Sequence, residues 1–203
     1  MPKKPPLSSP KSKQPINGLT FHIRQELDPD TDEPIEFGCF SRNWDHEQEL
    51  DELMDSLEAG RINDKQALLH AQKLLAKYPG NLEIQNYLAN RLWSLEMRDE
   101  ATDVWAKAYS QASALIPKDY KGQIIWSEID NRPFLRVAYG YLQGLIDRKD
   151  AKAAQVLAKK MLAWCPSDNL GVRMRMTKRL TPTVDRMGDQ LCDSSPVPRR
   201  MNR

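Results

Sequence analysis

At 203 residues and 23.4 kDa, the chain is long enough to bury a core without disulfide cross-links and suits one domain or one helical array with tails. Apolar residues make up 40% and charged residues 29%, which excludes a collagen-like or wholly disordered chain. Thirty basic and 28 acidic residues leave a formal charge of +2, too balanced to be an electrostatic footprint for nucleic acid.

Three cysteines, Cys39, Cys165 and Cys192, show no C-x-x-C spacing and leave one unpaired in any disulfide scheme, so reduced thiols in a cytoplasmic protein are expected. The lysines near Met1 are not followed by a signal-length apolar run, and no segment approaches the roughly 18 consecutive apolar residues of a bilayer span. Neither a cleaved secretion signal nor a membrane segment is expected.

Residues 1–17 are rich in Pro, Lys and Ser and read as a disordered basic arm. Over 18–45, Phe21 and Ile23, then Ile35 and Phe37, alternate about the turn-rich Asp28 to Pro34, which predicts a hairpin or an extended strap. From His46 the apolar period becomes helical, and 46–181 reads as a helical repeat domain followed by a flexible tail over 182–203. The first helix carries Leu50, Leu53, Met54 and Leu57 and ends at Gly60. Asn63 with Gln66 forms a capping-box pattern ahead of Leu68, Ala71, Leu74 and Leu75. Asn81 caps a third helix with Ile84, Tyr87, Leu88, Leu92 and Leu95, and a fourth follows a short turn with Ala101, Val104, Trp105, Ala108 and Tyr109.

Residues 117–130 break the pattern and are expected as an ordered insert, because Trp126 is costly to leave in water. Pro133 opens a fifth helix through Val137, Tyr141, Leu142 and Leu145. A sixth spans Ala151 to Trp164 with Ala154, Val156, Leu157, Met161 and Leu162, and a last one starts at Ser167-Asp168-Asn169.

The second helix of each pair repeats one pattern: Ala67, Ala71 and Leu74 before Pro79; Ala101, Trp105 and Ala108 before Pro117; Ala154, Ala158 and Met161 before Pro166. In this the chain resembles the tetratricopeptide repeat, a helix pair of roughly 34 residues in which small residues allow close approach. The first helices agree through Leu88, Ala89 and Leu92, and through Tyr141, Leu142 and Leu145 with a bulky residue in the small position. The resemblance spans about Glu47 to Pro166 and implies an all-α fold: about three antiparallel helix pairs in a right-handed superhelix plus a C-terminal helix. Asp130 to Arg136 and Pro166 to Arg173 are in addition similar to a paired signature of a little-characterised group of bacterial repeat proteins of this type. Arg132, Pro133, Asp168 and Asn169 in these segments read as inter-repeat structural residues, with Arg132 or Arg136 expected to pair with Asp168.

No catalytic constellation is legible. Asp28-x-Asp30-x-Asp32 opens like a calcium loop but has Glu33 where glycine is needed and Cys39 where the closing glutamate belongs. His22, His46 and His70 lie at no ligand spacing, and no Gly-rich phosphate loop is present. No metal, cofactor or enzyme activity is therefore expected. The resemblance places Asn86, Asn90 and Trp93, then Arg136, Tyr139 and Gln143, on the concave side of the array. Amides one turn apart and Trp, Tyr and Arg anchors suit the backbone and side chains of a bound peptide. Glu52 and Ser56 occupy positions where the family's carboxylate clamp needs lysine and asparagine, so a C-terminal carboxylate is not implied. The expected function is an adaptor, scaffold or chaperone-like module for an unidentified protein or peptide. The alternatives are nucleic-acid association through the basic termini and the last helix, or a structural subunit of an oligomer.

Overall fold

The computed structural model describes residues 18–27, 32–41 and 47–179. The basic arm, the tail over 182–203 and most of the hairpin turn, Asp28 and Asp30 included, lie outside the described residues. Among the described residues, seven helices pack in sequence-adjacent pairs behind a short antiparallel β-hairpin. The hairpin comprises β1 (Thr20–Leu27) and β2 (Pro34–Ser41), paired from Thr20 opposite Ser41 to Leu27 opposite Pro34. The helices are α1 (Glu47–Glu58), α2 (Asp64–Lys77), α3 (Leu82–Ser94), α4 (Arg98–Ser113), α5 (Arg132–Asp147), α6 (Ala151–Trp164) and α7 (Val172–Arg179).

The helix starts follow from local chemistry. Asn63 and Gln66 exchange side-chain and backbone bonds at 3.0 and 2.9 Å, a complete capping box. Asn81 accepts from the N–H groups of Glu83 and Ile84, and Asp150 from that of Ala153.

The turns inside the three helix pairs share one geometry. Gly60, Glu96 and Lys149 each adopt a left-handed conformation, at φ of 67°, 62° and 61°. In each turn the N–H of the following residue returns to the carbonyl five positions back: Arg61 to Ser56, Met97 to Leu92, Asp150 to Leu145. This is the hydrogen-bond pattern of a Schellman cap, and it reverses the chain within a few residues.

The core follows the predicted small-residue pattern. Ala67, Ala71, Ala101, Ala108, Ala154 and Ala158 are fully buried, with Trp105 and Met161 among them. The tightest helix approach lies between α4 and α5. A β-carbon on Gly140 would stand 2.3 Å from the Trp105 ring, and one on Gly144 2.3 Å from the Thr102 hydroxyl. Gly140 and Gly144 are thus the small residues that let α5 approach α4.

Three apolar residues expected in the core are not in it. Met54 is 45% exposed, Val156 63% and Leu95 36%. Met54 flanks the buried stripe of Leu50 and Leu53 on α1, Val156 faces away from the buried residues of α6, and Leu95 sits in the α3/α4 turn.

The insert is ordered, as expected of a segment carrying Trp126. Ile124 is fully buried, and its N–H donates to the carbonyl of Trp164. Gln123 exchanges backbone bonds with β2, from Gly38 N–H at 2.7 Å and to the Glu36 carbonyl at 2.9 Å. The hairpin thus docks on the insert and on the N-terminal end of α5, where Phe21 meets Phe40 edge to face at 4.9 Å and Phe40 packs at a tilt on Phe134 at 4.6 Å. Asn131, wholly buried in the 3-10 turn Ile129–Asn131, closes the junction. Its amide accepts from Phe40 N–H at 3.0 Å and donates to the carbonyls of Gly38 at 3.0 Å and Ile125 at 3.2 Å.

Candidate functional site

A cleft of 440 Å³ opens at the C-terminal ends of α3 and α5, lined by Trp93, Glu96, Arg98, Gln143, Ile146, Asp147 and Arg175. Because the ends of α3 and α5 meet there, the two helices run in the same direction. Asn86, Asn90 and Trp93 recur at intervals of four and three along α3, as Arg136, Tyr139 and Gln143 recur at intervals of three and four along α5, so each set shares a helix face.

The structure brings only part of the predicted set to the cleft. Trp93 and Gln143 line it. Tyr139 stands one bond behind, its hydroxyl accepting from Arg175 Nε at 3.0 Å. Asn90 and Arg136 are exposed, one and two turns earlier on the same helix faces. Asn86 is committed elsewhere: its side-chain oxygen accepts from Trp105 Nε1 at 3.1 Å, so its amide satisfies a buried indole between α3 and α4.

Trp93 packs against Trp105 at 5.5 Å and carries the Arg98 guanidinium 4.1 Å from its ring centre. Arg98 is in turn paired with Glu96 at 2.7 Å, within the α3/α4 turn. Arg148, just past the end of α5, binds Asp99 and Asp103 at 2.8 Å and ties that end to the start of α4. Both aspartates hold this guanidinium charged by raising its pKa, Asp103 contributing most. The rim is therefore fixed in position by ion pairs, while its floor is an indole packed into the core.

The proposed inter-repeat pairing of Arg132 or Arg136 with Asp168 is replaced by two local arrangements. Arg132 donates to the Trp126 carbonyl at 3.1 Å, and Arg132 and Arg136 both stack on the Trp126 ring. Asp168, at φ 52°, accepts from the N–H groups of Val172 and Arg173 and pairs with the Arg173 side chain, so its charge serves the start of α7. Asn169 accepts from Ser167 and belongs to the same turn. Pro133 is buried in the first turn of α5.

A second cleft, of 450 Å³, lies between α1 and α2 and includes Glu49, Glu52, Ser56, His70, Lys73 and Lys77. Its charges face partners: Glu49 accepts from Lys77 Nζ and from the Tyr78 hydroxyl, both at 2.6 Å. The Glu49 hydrogen bond is the main cause that pushes the Lys77 pKa up to about 12.

Among the described residues, no group of three or more His, Cys, Asp or Glu is placed to hold a metal ion. No described helix is long and apolar enough to cross a membrane. Cys39 and Cys165 are buried free thiols, and burial raises the Cys39 pKa.

Sequence reasoning missed Arg98, and it read Arg175 only as one charge of the basic last helix and Asn131 only as part of a helix-start signature. Each sits outside the helix face that periodicity identifies, and its role depends on a neighbour 5 to more than 90 positions away, as with Arg175 and Tyr139 or Asn131 and Phe40. No family model, no curated protein and no solved structure matches the chain.

Proposed function

We propose that this chain is a tetratricopeptide-like binding module, its helix pairs forming a right-handed superhelix whose concave groove takes a peptide or protein segment. Binding rather than catalysis is the activity assigned to it, in a reducing cytoplasm that keeps Cys39 and Cys165 as thiols. The observation that carries the reading is the convergence of Trp93, Gln143 and Arg175, from α3, α5 and α7, on one cleft. An aromatic floor, a side-chain amide and a guanidinium are the groups that anchor peptide at interfaces. The three like turns at Gly60, Glu96 and Lys149 support the repeat reading. The described part of the hairpin docks at the N-terminal end of α5 and, among the described residues, supplies none to the cleft at the other end of the helix.

The test is affinity capture from lysate with the full chain and with a Gln143→Ala, Asn90→Ala variant whose circular dichroism matches the wild type. A protein retained by the wild type and lost by the variant is the expected result. Identical captures would refute the groove as the working site.

A further inference from the structure

The cleft is one end of a longer feature. Arg132, Arg136, Tyr139 and Gln143 share one face of α5, where Arg132 and Arg136 both lie over the Trp126 ring of the insert and Arg175 of α7 lies over Tyr139. Arg132 and Arg136 lie 5.3 and 5.6 Å from the Trp126 ring centre, and Arg175 lies 5.9 Å from that of Tyr139. Among the described residues none of these three has a carboxylate partner, whereas Arg24, Arg91, Arg98, Arg148 and Arg173 each pair with Asp or Glu.

Two of the unpaired arginines stand one helical turn apart, where like charges repel. Aromatic stacking orients a guanidinium and leaves its edge free to donate. Arg132 and Arg175 use Nε within the protein, on the Trp126 carbonyl and the Tyr139 hydroxyl, so their terminal nitrogens are the donors left for a ligand.

We propose that the groove is selective for an acidic, extended peptide segment whose side-chain carboxylates meet Arg132, Arg136 and Arg175. This rests on the groove reading above and adds the chemistry of the occupant. The spacing suits such a segment. Arg132 and Arg136 are offset by about 6 Å along the helix axis, and alternate residues of an extended peptide are separated by about 6.6 Å. Acidic residues at every second position therefore face successive arginines. From Arg132 to Gln143 the face runs about 16 Å, or about five residues of extended chain.

The experiment is fluorescence anisotropy with the full chain and three labelled probes: an alternating glutamate-serine octapeptide, an alternating lysine-serine octapeptide and an oligothymidylate of equal charge to the first. The variant is Arg136→Gln with Arg175→Gln, which keeps the side-chain stems and removes two charges. The glutamate peptide is expected to bind, to weaken as salt is raised, and to lose about tenfold or more in affinity in the variant. The lysine peptide is expected not to bind. Absent glutamate-peptide binding, or binding unchanged in the variant, overturns the proposal. Tighter binding of the oligothymidylate through the same arginines also overturns it, in favour of nucleic acid. A neutral-peptide library run on the wild type and Gln143→Ala separates the two readings. Binding that needs Gln143 but ignores the arginines leaves the groove standing and removes only its acidic selectivity, whereas no Gln143-dependent peptide from any class removes both.

Discussion

Replacing Asn131 with alanine removes three hydrogen bonds at once, those to Phe40 N–H and to the carbonyls of Gly38 and Ile125. Each is worth about 1 kcal/mol net. The site is wholly buried, so water does not readily replace the lost partners, and a stranded polar group adds about 1–3 kcal/mol. The expected loss is therefore about 4 kcal/mol, a large share of the 5–15 kcal/mol typical of a folded domain. Because two of the three bonds hold β2 to Asn131 and the third ties Asn131 to the insert, the loss should fall first on the hairpin. Urea unfolding followed by circular dichroism measures the total, and amide hydrogen exchange locates it. Protection should drop in β1 and β2 and persist in α3 and α4, where no bond is removed. A loss below about 1 kcal/mol, or protection that falls evenly through the helices, would refute the assignment of Asn131 as the hairpin's staple.

Gly140→Ala forces a β-carbon against the Trp105 ring; despite the better helix propensity of alanine, a net loss of about 1–2 kcal/mol is expected in urea melts, and a stabilised variant would show that α4 and α5 are not closely apposed. Asn63→Ala breaks the α2 capping box and should cost about 1 kcal/mol, while Asn63→Asp, which keeps the acceptor, should cost less; equal losses would argue against the cap. Burial pushes the Tyr109 pKa up to about 12 and raises that of Tyr120 as well. The native state then keeps protons that the unfolded chain releases from about pH 10 upward. That contribution is complete below pH 10 and is lost as pH rises towards 12. Urea stability measured between about pH 9 and 11.5 should fall, less steeply for Tyr109→Phe, and a flat profile would contradict the burial.

Much of the fold was legible because its determinants are local. Asn63 with Gln66 and Asn81 with the backbone that follows depend on residues two or three apart, and the buried alanines of α2, α4 and α6 recur at helical spacing. The reversal at Gly60 was legible because glycine favours a left-handed conformation. Its equivalents at Glu96 and Lys149 carry no such mark, since hydrogen bonds in the turn hold non-glycine residues there. Periodicity also cannot tell an inner flank from an outer one, which is why Met54 and Val156 were assigned to a core that ends before reaching them.

The candidate site was half legible for a related reason. Helical spacing identifies which residues share a face, as Trp93 does with Asn90 and Gln143 with Tyr139 and Arg136, and it was the family resemblance that singled these faces out. Spacing does not say what stands across the gap. Asn86 left the set because Trp105, on the next helix, needed an acceptor. Arg175 joined it because α7 brings that side chain to Tyr139. Both changes are decided by tertiary neighbours, and both alter the chemistry offered to a ligand. Losing Asn86 removes a neutral amide and gaining Arg175 adds a cation, and it is on this change that the proposed selection of negative charge rests. The arginine variants measure that shift directly, whereas a change at Asn86 would report chiefly on the packing of Trp105.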